Sequence, residues 1–521
     1  MRPVARRAEL PPRTTLMRSL ANGHAQTRHA SRRPSSARRV QVYSVPSWND
    51  LASQPPPLDR CASHDAAQYY RVVQNVTGCP EGYAPWCVRF WKGPYGGCGS
   101  DNSVARFHSR AYGSHSYDVA FVDSGAFSAP LFNASEWVAL FAAAGARYVR
   151  PVVKFGDGFT HWPSNTTSPG WAAPTRGPMR DVVGEIFEAA RRHGLRVGVH
   201  FEMGEWLEAR ILRRVLPDGR AIWLEEPERY RDEVLWTQLT ELIETYEPDD
   251  VYLDSEWDFH SDWWRSREWL AWLFNDSPVA DRVTINDRWG NDTRGHHGSY
   301  FVSEYGKLDF DVTSGHAWTS TKSINSRFGY NRFDKAADLQ TAEDVLLAII
   351  AGASQGGNVD LSVDAMGDGR IAPSHQAVLA GVGEWMAQNG EAIYSTRRYA
   401  MRQNATSSGG TLVYYTAGLQ QRLRHADARQ RQKPAVSPPP AVFLITTQWP
   451  GLTLTVPMAS RPASIIFLGA AAGESPPQWR YEQGDGEVES EGTLTIDVPP
   501  PSAGALPRGT AATFLAYKAA F

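Results

Sequence analysis

DVVGEIFEAARRHGLRVGVHF, residues Asp181 to Phe201, decides the architecture. It opens on a capping Asp181, runs as an amphipathic segment to His193, and is followed at once by a short β-rich apolar run, Leu195 to Phe201. The same alternation extends outward from about Gly145 to Asn389. Strands are predicted at Arg147–Val153, Leu195–Phe201, Val251–Asp254, Arg282–Asn286, Tyr300–Ser303 and Val359–Val363. Helices are predicted at Ser135–Ala144, Asp181–His193, Arg229–Tyr246, Asp262–Asn275, Thr341–Ala353 and His375–Asn389. Short strands each followed by a helix form either a barrel or a doubly wound sheet. The GxGxxG signature of the dinucleotide-binding doubly wound sheet is absent, which favours the barrel. After Tyr394 the pattern turns β-only, with runs at Thr411–Thr416, Val442–Thr447, Leu452–Val456, Ser464–Leu468, Leu494–Val498 and Ala512–Tyr517 between Pro, Gly and Ser clusters. The expected fold class is α/β: a TIM-like (β/α) barrel over residues 41–395, followed by a C-terminal antiparallel β-sandwich over residues 396–521.

A chain of 521 residues is too long for one core and fits two or three domains. A net charge of -3 with 21% charged residues gives no attraction to nucleic acid or an acidic lipid surface, so a neutral partner is expected. Nineteen Trp, twenty Tyr and twenty Phe supply flat apolar faces that fill a core and also stack on sugar rings. The cysteines Cys61, Cys79, Cys87 and Cys98 crowd into an insert at residues 61–98 without the paired spacing of a zinc site, which reads as a disulfide-stapled loop. Six of fourteen asparagines, Asn75, Asn133, Asn165, Asn275, Asn291 and Asn404, begin glycosylation sequons. Cysteines and sequons together point to the secretory pathway, with an extracellular or lysosomal destination. No apolar run is long enough to span a membrane. Residues 1–40, Arg-rich with a single acid (Glu9) and no apolar core of a signal peptide, read as a disordered lead, and Arg422–Val442 reads as a mobile loop.

Catalytic groups of a (β/α) barrel project from the C-terminal ends of its strands. Asp254 closes Val251-Tyr252-Leu253-Asp254, Glu304 closes Tyr300-Phe301-Val302-Ser303-Glu304, and Arg288 follows Val283-Thr284-Ile285-Asn286-Asp287. Two carboxylates on different strands facing one pocket are what glycoside cleavage requires. A single strand-end Asp is as readily a helix cap. Gly352-Ala353-Ser354-Gln355-Gly356 matches the serine-hydrolase elbow, but a helix precedes it where a strand is needed. His296 and His297 lack a third ligand at metal spacing and read as a solvated loop. No metal or organic cofactor is implied.

Several separated motifs, in order, carry a resemblance. They are Trp137, Gly145-Ala146-Arg147-Tyr148, Lys154 with Asp157-Gly158-Phe159, Arg180-Asp181, Trp206, Asn286-Asp287-Arg288-Trp289-Gly290, Phe328-Gly329-Tyr330, Gly356-Gly357-Asn358 and Asn389-Gly390-Glu391-Ala392-Ile393-Tyr394. Over about Phe107 to Tyr394 the chain resembles the retaining α-L-fucosidases. The resemblance implies Asp254 as nucleophile, Glu304 as acid/base, Arg288 steadying the nucleophile, and Phe328 as a wall for the C5 methyl of fucose, with Asp157 and Trp206 among the substrate-binding residues. It further implies a fucosylated glycan or glycoconjugate as partner. The chain departs from the family where sugar hydroxyls are read: Arg38 to Val42 replaces a His-bearing first strand, Phe155-Gly156 replaces a His pair, Gln68 stands for a Glu and His200 for a strand-end Tyr. Two readings follow, a retaining exo-glycosidase of terminal α-L-fucosyl or related deoxy-sugar residues and, as alternative, a catalytically weakened glycan-binding pseudoenzyme.

Overall fold

The computed structural model describes residues 42–45, 128–155, 158–166, 171–205, 212–215, 221–224, 227–304, 310–325, 335–419, 440–470, 474–484, 491–498 and 514–521. The 1–40 lead, the cysteine insert at 61–98 and most of the Arg422–Val442 loop lie outside them.

Eight parallel strands carry the first part of the fold: β1 (Val42–Val45), β2 (Tyr148–Lys154), β3 (Arg196–Glu202), β4 (Asp250–Asp254), β5 (Thr284–Ile285), β6 (Phe301–Glu304), β7 (Trp318–Ser323) and β8 (Asn358–Ser362). They pair in the order β5-β4-β3-β2-β1-β8-β7-β6, which is chain order read around a ring. The two ends of that path meet. Ser299 N–H donates to Ile285 O at 2.9 Å, and Val302 N–H donates to the Asp287 carboxylate at 3.1 Å, closing the sheet into a barrel.

Around the ring run α1 (Ala134–Ala143), α2 (Val182–Arg192), α3 (Trp236–Tyr246), α4 (Ser266–Asn275), α5 (Ala342–Ser354) and α6 (Pro373–Asn389). Their starts are chemically marked: Asn133 accepts from Ser135 and Glu136 N–H, Asp181 from Gly184 N–H, and Thr341 and Asp344 form a capping box. Two expected helices are interrupted. The Arg229–Tyr246 segment passes through a π-helical stretch, Tyr230–Leu235, before α3, and Asp262–Asn275 breaks at Arg265, whose φ is 57°.

Alternation along the strands sorts the side chains. Val149, Val153, Val197, Val199, Phe201, Val251 and Leu253 join the core that the helices cover. Their neighbours Arg150, Asp250, Tyr252 and Asp360 meet inside the barrel. Arg150, 0% exposed, donates to Asp250 at 2.8 Å and to Tyr300 Oη at 3.2 Å, contacts Asp360, and lies 4.1 Å over the Tyr252 ring. This polar layer is the floor on which the strand ends stand.

From Thr396 onward the strands are antiparallel. Residues 396–398, 412–418, 441–446, 516–520 and 464–467 form one sheet, with 404–406 pairing to 412–418, and 453–458, 492–497 and 479–482 form the facing one. The Ala441–Thr446 strand is buried along its whole length: Phe443 and Ile445 belong to the barrel core, Val442 and Leu444 to the sandwich core. Trp385 of α6 donates to Phe514 O at 2.8 Å, so the sandwich continues the barrel's packing.

Candidate active site

Two motifs quoted from the sequence meet at the base of α1. Gly145, with φ 91°, ends the helix, and Tyr394 Oη donates to its carbonyl at 2.7 Å while Arg147 stacks 3.7 Å over the Tyr394 ring. A Cβ at Gly145 would stand 2.6 Å from that hydroxyl.

At the other pole, Asn286 to Gly290 packs against the C-terminal end of β4. The Asn286 side chain brackets Leu253, accepting from its N–H at 3.2 Å and donating to its carbonyl at 2.8 Å. Asp287 accepts from Val302 and Gly295 N–H at 3.1 and 2.8 Å, tying β6 to the turn. Trp289 Nε1 donates to Asn286 O at 2.8 Å, and a Cβ on Gly290 would meet Ser261 N at 2.4 Å. With its neighbours thus committed to shape, Arg288 is aimed at the strand ends.

Arg288 is 1% exposed and binds three carboxylates. Its Nη2 donates to Asp254 at 2.6 Å, Nη1 to Asp254 at 3.0 Å and to Glu304 at 2.6 Å, and Nε to Glu256 at 2.9 Å. Because one nitrogen serves both Asp254 and Glu304, their nearest oxygens are separated by at most about 5.6 Å, a bound below the ~6.5–9.5 Å of inverting glycosidases that admits a retaining pair. Tyr252 Oη, between them, donates to Glu304 and accepts from Arg288, both at 3.4 Å.

The side chains of Asp254, Glu256 and Glu304 are 14%, 2% and 22% exposed, so Asp254 and Glu304 face the opening and Glu256 lies beneath the guanidinium. Burial would push Asp254 up, but Arg288, His200 and the Ser255 N–H at 2.6 Å reverse it and hold Asp254 down at about 2. Burial, only partly offset by Arg288, pushes Glu256 up to about 7. Neighbouring Glu202, to which Ser255 Oγ donates, is raised by burial and by the charge of Asp254. Burial works to lower His200, yet Asp254 and Glu202 outweigh it and raise it. Its Nε2 stands 3.6 Å from Asp254 and 3.8 Å from Glu202, too far for a hydrogen bond, and is buried with no hydrogen-bond partner among the described residues. By donor type His200, Glu202 and Asp254, with ligand atoms within 4.8 Å of one another, could take a divalent cation.

Of the residues expected at the site, the structure brings together Asp254, Glu304, Arg288 and His200. Gln68, Asp157, Trp206 and Phe328 lie outside the described residues. Glu256, Glu202, Ser255 and Tyr252 escaped the sequence reading. Glu202 ends β3 one residue past the predicted boundary, and Glu256 stands two residues beyond Asp254, so a longer look at each strand end would have found them. Both decoys are structural: Ser354 Oγ donates to Ala351 O at 2.8 Å at the end of α5, and His296 and His297 are exposed. Phe155, where the family has His, is buried, and His161 packs edge-on to Phe159 at 5.4 Å with burial holding it down at about 3, hence neutral.

Comparison with known proteins gives a consistent result. The family model of the α-L-fucosidases matches residues 64–391. The chain is 31% identical over 432 residues to the tissue α-L-fucosidase of Bos taurus, covering 82% of each chain. It is 30% identical over 475 residues to the α-L-fucosidase of Branchiostoma floridae, covering 90% of this chain and 94% of the relative. Among solved structures, the Thermotoga maritima α-fucosidase in complex with a mechanism-based inhibitor shares the fold, with a TM-score of 0.66 at 23% identity over 94% of this chain and 96% of that one.

Proposed function

The chain belongs to the α-L-fucosidase family and is a glycoside hydrolase, and from that premise we propose how its own residues perform the reaction. It is a retaining exo-glycosidase that removes terminal α-L-fucosyl residues from glycans through a covalent glycosyl-enzyme. The observation that carries the assignment of roles is the single guanidinium of Arg288 shared by Asp254 and Glu304.

Asp254, kept ionised at about 2, attacks the anomeric carbon while Glu304 gives its proton to the departing glycosidic oxygen. Glu304, then a carboxylate, takes a proton from water as that water displaces Asp254, and both groups return to their starting state. Arg288 holds the two at working separation and stabilises the carboxylate of Glu304 between the steps. Glu256 fixes Arg288 from behind through Nε, leaving both Nη groups for the reacting carboxylates. It is too deeply buried to meet a leaving group, which supports Glu304 as the acid.

Among hydroxyl-reading groups, His200 has the geometry to serve: its Nε2 sits beside the nucleophile with no hydrogen-bond partner among the described residues, available to a ring hydroxyl. Gln68, Asp157, Trp206 and Phe328 complete the proposed fucose pocket, Phe328 against the C5 methyl. The non-hydrolytic alternative finds no support, since the carboxylates and the cation that turnover needs are all assembled. The substrate is a fucosylated glycan or glycoconjugate. The secretory route fits the five sequon asparagines among the described residues, Asn133, Asn165, Asn275, Asn291 and Asn404, which are all exposed. Among the described residues no helix is long and apolar enough to cross a membrane. The test is turnover of an aryl α-L-fucoside: Asp254→Ala and Glu304→Ala each abolish it in folded protein, and azide restores rate to Glu304→Ala. Unchanged rates in either variant overturn the assignment.

A further inference from the structure

The loop that follows the nucleophile presents an aromatic ring that the mechanism leaves unused. Trp257 is 43% exposed, and Phe274 on α4, at 41%, is the other large aromatic among the exposed apolar side chains of the described residues. Trp257 lies three residues past Asp254, with the guanidinium carbon of Arg288 5.7 Å from its ring centroid. It therefore stands at the rim of the site.

Its backbone is held firmly. Ser255, in the left-handed region with φ 62°, turns the chain into the 3-10 turn Glu256–Asp258. Trp264 Nε1 donates to Glu256 O at 3.2 Å, Asn291 N–H donates to Phe259 O at 2.9 Å, and the Asn291 amide reaches Trp257 O at 3.5 Å. Beside the turn, Phe259 and Trp263 stack at 3.8 Å and anchor it to the core. A flat apolar face on a fixed backbone binds a sugar ring at low ordering cost, because the C–H face of a pyranose matches it and little freedom is lost.

We propose that Trp257 is the stacking platform for the leaving part of the substrate, the pyranose ring to which the fucosyl group is attached. This rests on Asp254 and Glu304 being the reacting pair. The reacting sugar occupies the enclosed ground between those carboxylates, 14% and 22% exposed, and a ring left 43% open to solvent one step outward meets the next sugar. Trp257 is thus a specificity-determining residue: it contributes where the leaving group is a sugar and is idle where the leaving group is small.

The experiment compares α-L-fucosyl fluoride, whose leaving group cannot stack, with an α-L-fucosyl-N-acetylglucosamine disaccharide. In Trp257→Ala, kcat/KM for the disaccharide falls roughly tenfold, the loss of about one aromatic contact, while the fluoride is unchanged. Trp257→Phe recovers most of the loss, and the melting temperature of both variants matches the parent. An equal fall on both substrates overturns the proposal, because the ring would then act through Arg288, and so does an unchanged disaccharide. Disaccharide affinity measured by calorimetry in Asp254→Asn, with and without Trp257→Ala, separates this from the reading of function. A weaker affinity supports the platform even if the parent proves inactive on the fluoride, and an equal affinity refutes it.

Discussion

Replacing Arg288 with Lys keeps the charge and removes the fork. An ammonium on a flexible stem cannot hold Glu256 through one edge while donating to Asp254 and Glu304 through another. Of the four charged hydrogen bonds at 2.6, 3.0, 2.6 and 2.9 Å, at least two are lost. Each is worth about 1.5–3 kcal/mol, so transition-state stabilisation drops by about 3 kcal/mol or more and kcat/KM by about 100-fold or more. The pH profile carries a second signature. Burial pushes Asp254 upward and Arg288 is the largest group pulling it below 3.8 to about 2. Asp254 is thus a depressed carboxylate: its share of stability and its ionised, attacking form are present above its ordinary pKa and lost as pH falls through about 2. In Arg288→Lys the ammonium, no longer forked to both oxygens, pulls less strongly, so that loss moves upward from about 2 towards 3.8. The assay is kcat/KM for an aryl α-L-fucoside across pH 3 to 8, with melting temperature as the check on folding. An acid limb that stays in place together with less than a tenfold fall in rate would show that Arg288 does not hold Asp254 ionised.

Glu256 has its pKa raised from 4.5 to about 7, so it favours folding below about 4.5 and that contribution is lost as pH rises through 7; Glu256→Gln is therefore the more stable protein at pH 8 by about 3 kcal/mol and equal at pH 4, as denaturant titration at both pH values will show. Arg150→Met leaves Asp250 and Asp360 buried without their cation, and chemical denaturation registers a loss of about 3–5 kcal/mol. Ser255→Gly relieves the left-handed backbone at φ 62° but removes the hydroxyl held by Glu202, so stability changes by less than about 1 kcal/mol while Ser255→Ala, which keeps the strain and loses the bond, is destabilised by about 1–2 kcal/mol in the same measurement.

Most barrel strands were legible because each carries β-branched and apolar residues on the face that the helices cover, as at Val251 and Leu253 and at Val197, Val199 and Phe201. β7 was not, since Trp318-Thr319-Ser320-Thr321-Lys322-Ser323 carries polar residues at nearly every position and reads as loop. β1 was missed because Val42–Val45 is short and sits behind an Arg-rich segment. In the sandwich, Thr396–Arg398, Asn404–Thr406 and Trp479–Glu482 are short strands of mixed polarity with little pattern to detect. Asp254, Glu304 and Arg288 were readable as polar residues just past apolar runs. That one guanidinium would join them, with Glu256 behind and Tyr252 between, depends on strand alternation and on the turn Asn286 to Gly290, which only folding brings against β4.

The proposed reaction requires Asp254 to form the bond to the sugar. A 2-deoxy-2-fluoro-α-L-fucosyl fluoride slows the second step and traps the glycosyl-enzyme, and digestion followed by mass spectrometry locates the label. The mass of one fluorodeoxyfucosyl group on the peptide bearing Asp254, absent in Asp254→Ala, is the result expected here. The label on Glu304, Glu256 or Glu202, or turnover that proceeds with no covalent adduct, would rule out Asp254 as the nucleophile.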